Sequence, residues 1–160
     1  MRNLSIIFLS AVLGILSCIQ APDYPIEPTL ELVGLTKDTM NQDQFNTDSV
    51  IIVLNFTDGD GDIGSDNELN VFVTDLRDGF VSDRFRIPPL NEQAGSNNGI
   101  SGELRLTLYT TCCIYPNGAP PCEPSTQFPT NALSYEIYIE DQAGHKSNIV
   151  TTPEIILRCQ

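Results

Sequence analysis

From Thr29 onward the chain is built of short apolar runs, most of them alternating apolar and polar residues, and each run stops at a cluster of turn-forming residues. This pattern constrains the fold more than any other feature. A period of two puts successive side chains on opposite faces of a strand, whereas a helix needs apolar residues every three to four positions. No stretch shows a convincing helical period. "TLELVGL" (29–35) alternates at Leu30 and Leu32 and then shifts. "VIIVLNF" (50–56) reads as a central buried strand. "LNVFVTDL" (69–76) puts Leu69, Val71 and Val73 on one face. "FVSDRFRI" (80–87) ends in Pro88-Pro89, which suits a sheet edge. "ELRLTLYTTCC" (103–113) aligns Leu104, Leu106 and Leu108. "SYEIYIED" (134–141) turns Tyr135, Ile137 and Ile139 inward, and "NIVTTPEIILRC" (148–159) closes the series. The stretches at 36–49, 91–102 and 114–131 read as connections, the last of them long and proline-rich. Seven strands without βαβ alternation predict an all-β domain over 29–160, an antiparallel two-sheet β-sandwich.

The N-terminus has a different character. Leu4 to Ser17 carries no charge and follows Arg2, which is the length and polarity of a signal peptide and short for a membrane span. The run ends in "ILSC" (15–18). This stretch resembles the processing site of bacterial lipoproteins. The resemblance implies a lipoprotein signal peptide over 1–17, cleavage before Cys18 and a covalent lipid on Cys18. Ile19 stands where an aspartate would retain such a protein at the inner membrane, so the resemblance implies the outer membrane. "IQAPDYPIEP" (19–28) has three prolines and reads, with Cys18, as an anchor and extended tether over 18–28.

A second resemblance covers the C-terminal strands. In "SYEIYIEDQAGHKSNIVTTPEIIL" a Tyr opens the penultimate strand, alternate aliphatics follow, and Asp141, Ala143, Gly144, Ser147 and Asn148 form the turn into the last strand. This is similar to the end of bacterial immunoglobulin-like and fibronectin type III-like modules, with His145 in place of the usual Asn. "FTDGDGDIG" (56–64) followed by "ELNVFVTD" resembles small lipoproteins built on the same plan. Together these imply an Ig-like sandwich behind a lipid anchor.

The formal charge of the whole chain is −13, and loss of residues 1–17 removes Arg2 alone, which leaves −14. Such a surface repels nucleic acid and suits cations or cationic partners. Export fits the cysteines. Besides Cys18 there are Cys112, Cys113, Cys122 and Cys159, enough for two disulfides. A bond between the adjacent Cys112 and Cys113 is strained. The favoured pairing is Cys113–Cys122 with Cys112–Cys159, and the reverse assignment stays open.

The acidic stretch carries the candidate site. Asp58, Asp60 and Asp62 have the spacing of the first three carboxylates of an EF-hand loop, but Ile63 and Leu69 stand where that loop needs Gly and Glu, and no helices flank it. A calcium site in a sandwich loop remains, with Asp66, Glu68 or Asp141 completing the shell; a solvated acidic turn is the alternative. Asp141 joins if the loop after "SYEIYIE" lies at the same end, as immunoglobulin topology implies. One histidine, with no GxSxG, P-loop or HExxH, points away from an enzyme. The expected role is a lipid-anchored envelope module for adhesion, assembly or accessory binding, with an envelope protein or a glycan as partner. Two alternatives are a carbohydrate-binding lipoprotein using Tyr109, Tyr115 and Tyr138, and an enzyme inhibitor using the stapled loop at Cys112–Cys122.

Overall fold

A computed structural model describes residues 23–90 and 99–160. The expected signal segment 1–17, the expected anchor Cys18, the expected tether as far as residue 22 and most of the 91–102 connection lie outside the described residues. The described residues form strands and loops with no helix. The strands are β1 (Thr29–Leu35), β2 (Thr39–Asn41), β3 (Ser49–Asp58), β4 (Val71–Asp75), β5 (Val81–Phe85), β6 (Ile100–Tyr109), β7 (Thr130–Leu133), β8 (Tyr135–Ile139), β9 (Val150–Thr151) and β10 (Ile155–Arg158).

They assemble into three hydrogen-bonded sheets, in the orders β1-β3-β6, β5-β4-β8-β9 and β2-β10-β7. The last two share one long hairpin. β7 runs into β8 and β9 into β10, and the ladders β8–β9 and β7–β10 are both antiparallel. The break falls at Ser134 on one arm and at Thr152-Pro153 on the other, where proline has no N–H to donate. Across the break Thr152 Oγ1 accepts from the Tyr135 N–H at 3.0 Å. One buried cluster joins all three sheets, including Val50, Ile52 and Leu54 of β3, Ile137 and Ile139 of β8, and Ile155 and Leu157 of β10. This architecture is consistent with a β-sandwich.

Six of the seven expected strands are present; the seventh, expected over 148–159, is split at Thr152-Pro153 into β9 and β10 in different sheets, and β7 begins at the end of the expected connection 114–131. Three further differences have physical causes. The polar connection 36–49 contains β2, and Met40 pins it at 1% exposure. β2 pairs with β10 in parallel, so the ladder is not wholly antiparallel. Leu69 is 53% exposed rather than inward, because β4 begins at Val71 and Asn70 takes the buried position.

The disulfides are Cys112–Cys122 and Cys113–Cys159, with Cα separations of 4.6 and 6.0 Å. This corrects the favoured pairing. Along β6 the buried positions are even-numbered, through Leu106, Leu108 and Thr110. Continued, that phase would bury Cys112. The strand stops at Tyr109, and the buried positions become Cys113 and Tyr115. Cys113 therefore faces the core, where Cys159 lies fully buried, and Cys112 is left to close the surface loop.

Candidate metal centre

Three strands carry an aspartate in phase with their core positions, at the end of β3 and of β4 and two residues past the end of β8. β3 buries Val50, Ile52, Leu54 and Phe56, and the next inward position is Asp58. β4 buries Val71 and Val73, and then Asp75. β8 buries Tyr135, Ile137 and Ile139, and Asp141 follows in the same phase. A buried carboxylate is costly unless it is paired. Asp75 shows how the chain solves this with its own residues. Arg77 forms a fork on it, with Nη2 at 2.6 Å from Oδ2 and Nε at 3.1 Å from both oxygens. Arg77 also donates to the Cys112 carbonyl and to Asn131 Oδ1.

Asp58 has no such partner. Its residue exposure is 0%, Oδ2 accepts from the Ile63 N–H at 3.0 Å, and Oδ1 is buried without any hydrogen-bond partner. Asp60 Oδ1 and Asp62 Oδ1 are likewise buried and unpartnered. Among the described residues no Lys or Arg forms an ion pair with Asp58, Asp60 or Asp62. Asp141 completes the group, and one oxygen from each of Asp58, Asp60, Asp62 and Asp141 lies within 4.8 Å of the others. Burial, followed by the charges of Asp60, Asp62 and Asp141, pushes the Asp58 carboxyl up to about 6 against an ordinary 3.8. Burial and then the charges of Asp141 and Asp60 raise Asp62 as well.

The loop's shape is set by its neighbours. Gly61 takes a φ of 76°, a left-handed conformation that glycine adopts without strain. The Asp62 carbonyl accepts from the Gln142 N–H, and the Gly64 carbonyl from the Gln142 side chain, which ties this loop to the turn carrying Asp141. Asp141 is held by His145, whose N–H donates to Oδ1 at 2.7 Å and whose Nδ1 lies 2.8 Å from Oδ2. That hydrogen bond, with the Asp141 charge, raises the affinity of His145 for its proton.

The loops after β3 and β8 thus meet at one end of the molecule. Asp66 is exposed and is not part of the group; its backbone carbonyl accepts from Arg86. Glu68 lines a neighbouring cleft of about 400 Å³ with Phe72, Arg84, Glu140 and Asp141. Asn70 is the residue that sequence reasoning missed. Buried at 6%, it donates to the Ile63 carbonyl at 2.5 Å and accepts from the Ile87 N–H at 2.8 Å. It locks the far side of the acidic loop to the end of β5. A polar residue directly before an apolar alternation was its only signal.

The tyrosines expected to line a sugar surface do not share one. Tyr115 is buried at 6% and donates to the Glu123 carbonyl. Tyr109 is on β6, in a different sheet from Tyr138. The Tyr138 ring is stacked on Phe72 at 4.7 Å and has Lys146 near its centroid at 5.3 Å. Comparison with known protein families, characterised proteins and solved structures returns no match, so the functional reading rests on the geometry of the site.

Proposed function

We propose that the protein is a non-enzymatic, lipid-anchored module of the bacterial cell envelope, with an Ig-like sandwich whose tether-side end is held together by calcium. The observation that carries the calcium reading is Asp58, a fully buried carboxylate with one unpaired oxygen facing three others. The chain supplies Asp75 with Arg77, and among the described residues supplies Asp58 with the Ile63 N–H but no cation. A cation from solution is the remaining partner. Oxygens gathered within 4.8 Å of one another fit around an ion bonded at about 2.4 Å, the bond length of calcium. Four carboxylates give four ligands, and calcium takes six to eight, so water or backbone carbonyls would supply the rest.

The strand orders β1-β3-β6 and β5-β4-β8-β9 support the immunoglobulin-like or fibronectin-like plan. Tyr135 at the start of β8 fits it too. The anchor reading rests on the sequence alone, on the apolar run and "ILSC" at 15–18.

Thermal melting of the mature protein in EDTA and in millimolar calcium, at matched ionic strength, tests the site. A hundredfold excess of calcium over Kd stabilises by about 2.7 kcal/mol, or roughly 10 °C for a domain of this size. The double variant Asp60→Asn, Asp62→Asn is expected to lose the rise. An equal rise in both proteins, or none in either, returns the loop to a solvated turn.

A further inference from the structure

The end of the segment expected as an extended tether lies on the acidic loop. Asp23–Pro28 bends at Ile26-Glu27, and Pro28 is buried. Gly59, between Asp58 and Asp60, is the point of closest approach. A Cβ there would sit 2.4 Å from the Pro25 carbonyl oxygen and 2.5 Å from that of Tyr24. Gly99 is the second contact, where a Cβ would lie 2.6 Å from Cδ2 of the Tyr24 ring and 3.3 Å from the Asp58 carbonyl oxygen. Two glycines flanking Asp58 thus form a seat with no room for a side chain, and Tyr24-Pro25 occupies it.

The same few residues therefore do two things. Their carboxylates converge on the cation position, and the backbone that carries those carboxylates supports the tether. With the ion absent, repulsion among Asp58, Asp60 and Asp62 acts to spread the loop. A contact this close gives way when its support shifts, because packed surfaces have little slack.

We propose that cation binding at Asp58, Asp60, Asp62 and Asp141 and docking of the tether at Gly59 and Gly99 form one coupled equilibrium. The ion then fixes the angle at which the sandwich leaves its N-terminal segment. This rests on the cation reading above. Coupling of this kind is reciprocal, so a tether that cannot dock must weaken the ion's binding by the factor that the ion strengthens docking.

Hydrogen exchange of the mature protein reads the first half. The amides of Tyr24, Ile26 and Glu27 are expected to exchange about tenfold more slowly in millimolar calcium than in EDTA. Calcium titration of Tyr24→Ala reads the second half. This variant leaves every carboxylate in place and is expected to raise Kd for calcium severalfold, with the calcium-dependent melt still present. If calcium raises the melt while exchange at 24–27 and the Tyr24→Ala affinity stay unchanged, the coupling is overturned and the cation site stands. If calcium neither binds nor stabilises, both fall together.

Discussion

At the scale of single residues, Asp58 and Asp75 are the same problem with two answers. Each ends a strand on its buried face, and only Asp75 has an arginine. Opposite mutational signs follow. Arg77→Met leaves the Asp75 charge buried and unpaired and is expected to cost about 3–5 kcal/mol in urea unfolding. Asp58→Asn removes an uncompensated charge, so in EDTA it is expected to equal or exceed the wild-type stability, while it loses the calcium-dependent rise. A variant less stable than wild type in EDTA by several degrees would argue that Asp58 is satisfied without an ion. The pH dependence has a definite sign. With its folded value raised to about 6, Asp58 holds its proton more tightly folded than unfolded. Its contribution is fully present below about pH 4 and is lost as pH rises through 6. Asp62 and His145 are shifted in the same direction. Urea midpoints in EDTA should therefore fall between pH 5 and pH 7.5, and Asp58→Asn should flatten the slope. In calcium the added stability should instead grow with pH, since protons compete for the same oxygens.

At the scale of elements, the two disulfides differ in what they close. Cys113–Cys159 spans 46 residues and Cys112–Cys122 spans 10. In the chain-entropy model these contribute about 4 and about 2.7 kcal/mol. Replacing both cysteines of the long bridge is expected to cost more than replacing both of the short one, measured by urea unfolding of the two double variants. The core position of Cys113 and Cys159 adds to that difference. The strands that the sequence shows best are those with a continuous apolar run, such as β3, or sustained alternation, such as β6 and β8. β2 and β7 were not legible, because three or four residues cannot establish a period, and Met40 alone marks β2 as core. The meeting of Asp58 with Asp141 was legible through topology, and more directly through phase: each is the next inward position of its strand. The pairing of the adjacent cysteines was not, because it turns on the one-residue change of phase after Thr110. Asn70 was hidden for a related reason, since the alternation at Leu69 places it on the wrong face.

At the scale of the whole molecule, the proposed lipid anchor at Cys18 bears on where the protein resides. Cys18→Ser is expected to shift the protein from the membrane fraction to the soluble fraction of the envelope or medium. Its persistence in membranes after a carbonate wash would rule out the lipid anchor. The direction of β1 has a mechanical consequence. β1 starts beside the acidic loop, with Thr29 opposite Thr57, and its ladder with β3 continues to Leu35 opposite Ile52. The stapled loop and Cys159 lie at the other end, past Tyr109, which pairs with Ser49. Tension between an anchored N-terminus and a partner gripping that far tip would draw β1 along its own axis. The β1–β3 hydrogen bonds would then be loaded in shear and would have to yield together, whereas pulling from the opposite end of β1 would peel them one by one. The rate of giving way under such a load follows the unfolding barrier rather than the equilibrium stability.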